Sequence, residues 1–400
     1  MGLIDDSPVN SSSSHDFAAF LDAMLDSVSD TSFSTRKSVT DDICTHPGFI
    51  GGMCFKCGEK MDNDNQSGVA FGYIHKDLRL TTDEIDRLRD RDLKNVLRHK
   101  KLYLVIDLDH TLLNSTRLSD ITQEEGYLMK QNHPIQGIYK LPSMHMVTKL
   151  RPLVHTFLKE ASKLFEMYIY TMGERCYALE MANLVDPGRV YFDSRVIAQG
   201  DCTQRHKKRL DVVLGRETAI LILDDSESVW EHKENLILME RYHFFASSCR
   251  QFHSRSKSLS ELKCDESDVD GALAIVLKVL KRVHRMFFDP ELGDNFTGRD
   301  VRQMLRAVRG EVLKGCKIVL SRVCPTKYHD LWVMAERLGA TCSTEVDSSV
   351  THVISTDIGT RESCWAVQEN KFLVEPRWLE AANFRWKRQP EEKFPVKVKH

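Results

Sequence analysis

The apolar run Leu102–Ile106 ends in Asp107-Leu108-Asp109, and a chain that carries it has few ways to fold. As a strand, this run buries its side chains and delivers the acids to its C-terminal end. Three further runs, Phe165–Tyr170, Ala219–Leu223 and Leu236–Met239, read as strands. Tyr177–Leu184 and Lys207–Leu214 read as helices between them. Strands alternating with helices from Lys101 to about Ser248 predict a parallel sheet covered by helices. In such a sheet the carboxyl ends of the strands face the ligand crevice.

Two carboxylates at that end suit two-step phosphoryl chemistry. Asp107 is placed to attack phosphorus as a nucleophile. Asp109 is placed to protonate the leaving oxygen and then deprotonate the water that hydrolyses the intermediate. Positive charge must offset the phosphate. The strand Ala219–Leu223 ends in Asp224-Asp225, a ligand pair suited to Mg²⁺, which takes few carboxylates and keeps waters. Lys207-Lys208 lies on the predicted helix leading into that strand, and Thr171 ends the strand Phe165–Tyr170 with a hydroxyl. An isolated Asp-x-Asp is common in surface loops; the ordered set of four features is far more specific.

Val105-Ile-Asp-Leu-Asp-His-Thr-Leu-Leu113 resembles motif I of the haloacid-dehalogenase superfamily. Lys149-Leu-Arg-Pro152, Tyr170-Thr-Met-Gly-Glu-Arg-Cys-Tyr-Ala178 and Leu223-Asp-Asp-Ser-Glu-Ser-Val-Trp230 resemble phosphatases of the RNA polymerase II carboxy-terminal domain. The run from Asn235 to Phe245 is similar to their plant phosphatase-like members. Gly339-Ala340, Thr351-His-Val-Ile354 and Trp378 resemble a BRCT domain, which that family also carries. The resemblance implies an α/β fold: a haloacid-dehalogenase-like parallel sheet with helices on both faces, then a small α/β BRCT-like domain. It implies a Mg²⁺-dependent serine/threonine phosphatase working through an aspartyl-phosphate.

Residue by residue, the resemblance makes Asp107 nucleophile and metal ligand. Asp109 becomes the acid/base, with its main-chain carbonyl also on the metal, and Asp225 the remaining protein ligand. Asp224 orients the lysine, and Thr171 contacts phosphate. Lys208 is preferred to Lys207, because Lys208-Arg-Leu fits the family's Lys-x-Leu. Arg151 helps anchor substrate, while His110 is expected to be a bystander. The implied partner is the phosphorylated carboxy-terminal domain of RNA polymerase II, with general transcription factors beside it, and the implied place is the nucleus. Two departures stand out. Gln199-Gly-Asp201 lacks the Arg that often precedes the Asp. Arg361-Glu362 occupies the region where phosphopeptide-binding BRCT domains place a Lys, leaving Ser321 and Arg361 as candidate contacts.

The remaining segments add less chemistry. Residues 1–40 are acidic and serine-rich and are expected to be disordered, with Phe17–Leu25 at helical spacing and able to fold on a partner. Residues 41–100 contain Cys44-Thr-His46 and Cys54-Phe-Lys-Cys57-Gly58, whose thiols and imidazole suit a structural Zn²⁺ or a plain reduced-cysteine turn. Thr81-Thr82-Asp83-Glu84 predicts a capping box opening an amphipathic helix that ends near Lys100. The phosphatase domain is expected over 101–248, a polar linker and helical segment over 249–307, and the BRCT-like domain over 308–397. Eleven cysteines in 400 residues make no disulfide framework, no signal peptide is expected, and the longest apolar stretch is too short to span a bilayer, so a reducing compartment follows. A net charge of −2 creates no global field toward nucleic acid or membrane, and neither is an expected partner.

Between the first two motif strands, residues from Leu118 to Lys149 allow a hairpin or short helix but no independent cap domain. A cleft without a large lid admits a polypeptide, which disfavours a small-molecule phosphatase. The other alternative is a catalytically silent phosphoprotein-binding adaptor. Such a chain would be expected to lose Asp107, Asp109 or an acid of the Asp224-Asp225 pair, and none is lost.

Overall fold

The computed structural model describes residues 44–397 apart from 61–67, 131–134, 254–255, 294 and 297. The expected tail at 1–40 and its Phe17–Leu25 segment lie outside the described residues. The chain begins with β1 (Gly48–Ile50), β2 (Met53–Cys54), β3 (Val69–Ala70), β4 (Leu78–Leu80) and α1 (Thr82–Arg98). Then come β5 (Leu102–Ile106), β6 (Leu113–Arg117), β7 (Ile138–Leu141), β8 (Met146–Leu150), α2 (Val154–Ala161), β9 (Phe165–Tyr170), α3 (Arg175–Val185) and β10 (Val196–Ile197). Next are β11 (Ile220–Asp224), β12 (Leu236–Leu238), α4 (Ala246–Gln251), α5 (Ala272–Phe287) and α6 (Val301–Gly310). Last are β13 (Lys317–Ser321), α7 (Pro325–Arg337), β14 (Thr341–Ser343), β15 (His352–Ser355), α8 (Arg361–Gln368), β16 (Phe372–Val374) and α9 (Arg377–Arg385).

These elements form two compact units. The first gathers the chain up to Arg98 with Met167–Arg216 and Val229–Glu231; the second holds His99–Glu166, Glu217–Ser228 and the chain from His232 onward.

In the first unit, β2-β1-β4-β3 make an antiparallel sheet. Helix α1 starts where the capping box predicts, but the Thr81 hydroxyl donates to the Pro47 carbonyl at 3.0 Å and Glu84 pairs with Arg87 instead. Its buried face carries Ile85, Leu88 and Val96. Arg89 reaches from the helix to the carbonyls of Leu210, Asp211 and Val213, and the Tyr73 hydroxyl donates to Val212. The segment from Lys207 to Leu214 is therefore held from outside, and it is not the expected helix. Lys208 forms a parallel bridge with Trp230, and Leu210–Val212 makes one 3₁₀ turn. Burial agrees: Lys208, Leu210 and Val212 to Leu214 are buried while Arg209 and Asp211 are half-exposed, a pattern that no single helical face gives.

In the second unit, β5, β11 and β12 pair in parallel, with Ile106 opposite Leu223 and Leu223 opposite Ile237. Every residue of β5 and β11 is buried, as strands covered on both faces require. The insert between the motif strands is a small antiparallel sheet, β6-β8-β7, with β7 and β8 as a hairpin. The stretch expected as a polar linker, Cys249 to Asp270, is packed back onto this unit. Ser258 and Ser260 are buried, Asp265 pairs with Lys149 at 2.6 Å, and Glu266 pairs with Arg151 at 2.6 Å. Its polar residues are there because the basic side chains they meet are buried and need partners.

The C-terminal part is a parallel sheet, β14-β13-β15-β16, with α7, α8 and α9. Trp378 is fully buried and donates its indole N–H to the Gln389 carbonyl at 2.9 Å. Gly339 has φ +91°, and a Cβ there would meet the Gly310 carbonyl oxygen at 1.7 Å, so no other residue fits.

Candidate active site

The parallel ladder continues one residue beyond β5: the Asp107 amide donates to the Leu223 carbonyl at 2.9 Å. That bond fixes Asp107 beside the acids ending β11. One carboxylate oxygen from each of Asp107, Asp224 and Asp225 lies within 4.8 Å of the others, with Asp107 and Asp224 buried. Asp224 accepts from the Ser226 amide at 2.8 Å, and its carbonyl accepts from Met239. Asp225 is ion-paired with Arg241. Burial, then the neighbouring Asp224 charge, pushes the Asp225 pKa up, and Arg241 only partly opposes this. Three carboxylates this close, two of them buried, repel one another and call for a cation, and an all-oxygen set suits Mg²⁺. Asp109 is half-buried and lies outside this group of three. After it the chain turns sharply through His110, with φ +62°, and the Leu112 and Leu113 amides return to the Leu108 carbonyl.

The turn is braced by residues to which sequence reasoning assigned no part. His110 Nδ1 lies 3.2 Å from the Tyr242 carbonyl and 3.3 Å from the Ser248 hydroxyl, and its ring packs against Phe252 and His243. The Tyr242 amide donates to the His110 carbonyl at 2.9 Å. Burial, then His110 and Arg241, pulls the His243 pKa down to about 4, so this ring is neutral at physiological pH. The Arg241 guanidinium sits 3.9 Å above the Phe252 ring. The run Asn235 to Phe245 was visible as a motif, but nothing in it announced which side chain faces the acids.

Arg151, expected to anchor substrate, does something else. It is buried, with its guanidinium donating to the His110, Thr111 and Glu240 carbonyls and, from Nε and one terminal nitrogen, to Glu266. Those bonds use all five N–H groups and leave none for a phosphate.

The first unit contains Thr171 and Lys208. Thr171 is buried where β9 ends; its amide donates to Ile197 and its hydroxyl accepts from the Gly173 amide at 3.0 Å, just before α3. Lys208 is buried, with Nζ 5.8 Å from the Tyr170 ring centre and 5.6 Å from that of Trp230. Aromatic faces hold an ammonium in place while leaving it charged.

Residues 102–270 match the NLI interacting factor-like phosphatase family, and residues 308–382 match the BRCA1 C Terminus (BRCT) domain. RNA polymerase II C-terminal domain phosphatase-like 4 of Arabidopsis thaliana is 55% identical, over 98% of this chain and 97% of that protein. The chain belongs to this phosphatase family. Phosphatase-like 3 of the same plant is 38% identical over 80% of this chain, which spans 27% of that longer protein. The solved structure of Fcp1, an essential RNA polymerase II CTD phosphatase, superposes with a TM-score of 0.64 at 24% identity, covering 78% of this chain and 100% of that one. The fold is thus that of an Fcp1-like haloacid dehalogenase with an added BRCT domain. By membership the chain is a protein phosphatase.

Proposed function

We propose that this phosphatase hydrolyses phosphoserine or phosphothreonine in the carboxy-terminal repeats of RNA polymerase II through an aspartyl-phosphate on Asp107. The observation that carries it is the close group of Asp107, Asp224 and Asp225 at the ends of two parallel strands, in a chain 55% identical to a CTD phosphatase-like protein. Mg²⁺, held by the Asp107 and Asp225 carboxylates and the Asp109 carbonyl, would offset the charge of the transferring phosphoryl group. An Asp107 oxygen bonds to phosphorus as the bond to the serine oxygen breaks. That oxygen takes its proton from Asp109. Asp109 then removes a proton from water, which attacks phosphorus and frees Asp107. The family resemblance adds Thr171 and Lys208 as phosphate ligands and Asp224 as the acid that orients the lysine. Arg241 balances Asp225 until a cation does.

A polypeptide substrate is supported by the insert, which is a small sheet with a hairpin rather than a cap domain. The BRCT domain serves recruitment, and action on the polymerase places the protein in the nucleus. Complete retention of the acids argues against a silent adaptor. The test is Mg²⁺-dependent phosphate release from a phosphorylated heptad-repeat peptide by the wild-type chain and Asp107→Asn. The variant is expected to lose more than about a thousandfold in rate while still folding. An inert wild type, or an equally active variant, overturns the proposal.

A further inference from the structure

Outside the acid group, a second constellation of metal-ligating side chains stands in the first unit. Cys44 and His46 precede β1, and Cys54 and Cys57 lie on β2 and the turn after it. One ligand atom from each lies within 4.8 Å of the other three. Folding produces this approach from residues up to thirteen positions apart through the β1–β2 hairpin, with Phe49 opposite Cys54. The knuckle after β2 is closed by two backbone bonds, Gly58 to the Cys54 carbonyl at 2.8 Å and Cys54 to the Glu59 carbonyl at 2.9 Å. Gly58 takes φ +76°, which frees the turn to wrap around a ligand.

The distances discriminate between chemistries. Cys44 and Cys54 sulfurs are 3.9 Å apart, and Cys57 Sγ is 3.5 Å from His46 Nδ1. Zinc bond lengths of about 2.3 Å to sulfur and about 2.05 Å to nitrogen give tetrahedron edges of about 3.8 Å and about 3.5 Å. Both observed edges match. A fifth residue completes the pattern: the other imidazole nitrogen, His46 Nε2, lies 3.4 Å from the Glu59 carboxylate. A carboxylate on the far nitrogen is what fixes the tautomer and aim of a metal-ligating histidine.

We propose that Cys44, His46 Nδ1, Cys54 and Cys57 bind one Zn²⁺ as a closed structural site, with Glu59 positioning His46. Binding converts three thiols to thiolates, releases three protons and leaves the imidazole neutral. No electron is transferred. All four corners are protein ligands, so the ion pins the segment entering β1 to β2 and the turn after it, and does no catalysis.

The test uses the full chain, purified without added metal and dialysed against excess Mg²⁺. Elemental analysis is expected to find about one zinc per chain. Cobalt exchanged into the wild type is expected to give the visible bands of a tetrahedral ion together with thiolate-to-cobalt charge transfer. Because that reading needs no variant, it stands even where Cys54→Ser fails to fold. Cys57→Ser is expected to lose the metal. Glu59→Gln is expected to keep the stoichiometry but weaken zinc affinity about 10–100-fold. Absence of bound zinc, octahedral cobalt spectra, or displacement by Mg²⁺ overturns the site; an unchanged affinity in Glu59→Gln overturns the part assigned to Glu59.

Discussion

Arg151 shows how far a correct motif can mislead about a single residue. The Lys149-Leu-Arg-Pro152 pattern identifies the position, yet the structure spends all five guanidinium donors on three carbonyls and Glu266. These partners include the carbonyls of His110 and Thr111, so Arg151 holds the turn that follows the Asp107-Leu108-Asp109 motif. Arg151→Lys keeps the charge but cannot reproduce the planar fork, and it leaves Glu266 and several carbonyls short of donors. The expected loss of stability is about 3–5 kcal/mol, read from chemical denaturation. A substrate anchor would instead raise KM at unchanged stability, and that outcome would remove the structural assignment. Asp107, Asp224 and Asp225 were legible because each ends an unbroken apolar run. Arg241, which pairs with Asp225, follows β12 by three residues with no such marker.

At the scale of elements, apolar runs translated directly. β5 and β9 have the predicted limits, and in β5 every residue is apolar and buried, so no polar residue blurs its ends. Lys207 to Leu214 is not the predicted helix: Lys208 is itself buried against two rings, and only Leu210–Val212 makes a 3₁₀ turn. β15 carries a testable consequence. His352 is stacked between Phe372 and Trp378, with centroids 4.9 Å and 4.7 Å away. Burial lowers its pKa from 6.5 to about 4; Glu391, 3.2 Å from Nε2, pulls the other way and Arg388 adds to the fall. Between these values the unfolded chain binds a proton that the folded chain refuses, so stability falls as pH drops from 6.5 toward 4. The full effect is at most about 3 kcal/mol. His352→Phe should abolish this part of the acid sensitivity, measured as the change in melting temperature between pH 7 and pH 5. An identical pH slope in variant and wild type would show that other groups carry it.

Across the second unit, several side chains tie the phosphatase sheet to the BRCT domain, Arg309 among them. Arg309, near the end of α6, donates to the Leu236 carbonyl of β12 at 2.7 Å and lies 5.2 Å from the Trp386 ring centre beyond α9. Burial, and then Arg337 nearby, lowers its pKa to about 10, so it stays charged at neutral pH. A parallel pairing of Arg337 with Glu227 at 2.9 Å joins α7 to the turn after β11. Such contacts, rather than a connecting peptide, should make the two domains melt together. No sequence pattern could report this, since Arg309 looks like any basic residue on an amphipathic helix. Arg309→Leu keeps an apolar stem but loses the carbonyl bond and the ring contact, together about 2 kcal/mol. Calorimetry is expected to resolve the single wild-type transition into two, the earlier one lowered by about 4–8 °C. One transition at an unchanged temperature would mean that the coupling resides in the Arg337–Glu227 pair and the packing of α6 against α7, and Arg337→Ala would then be the substitution that separates the domains.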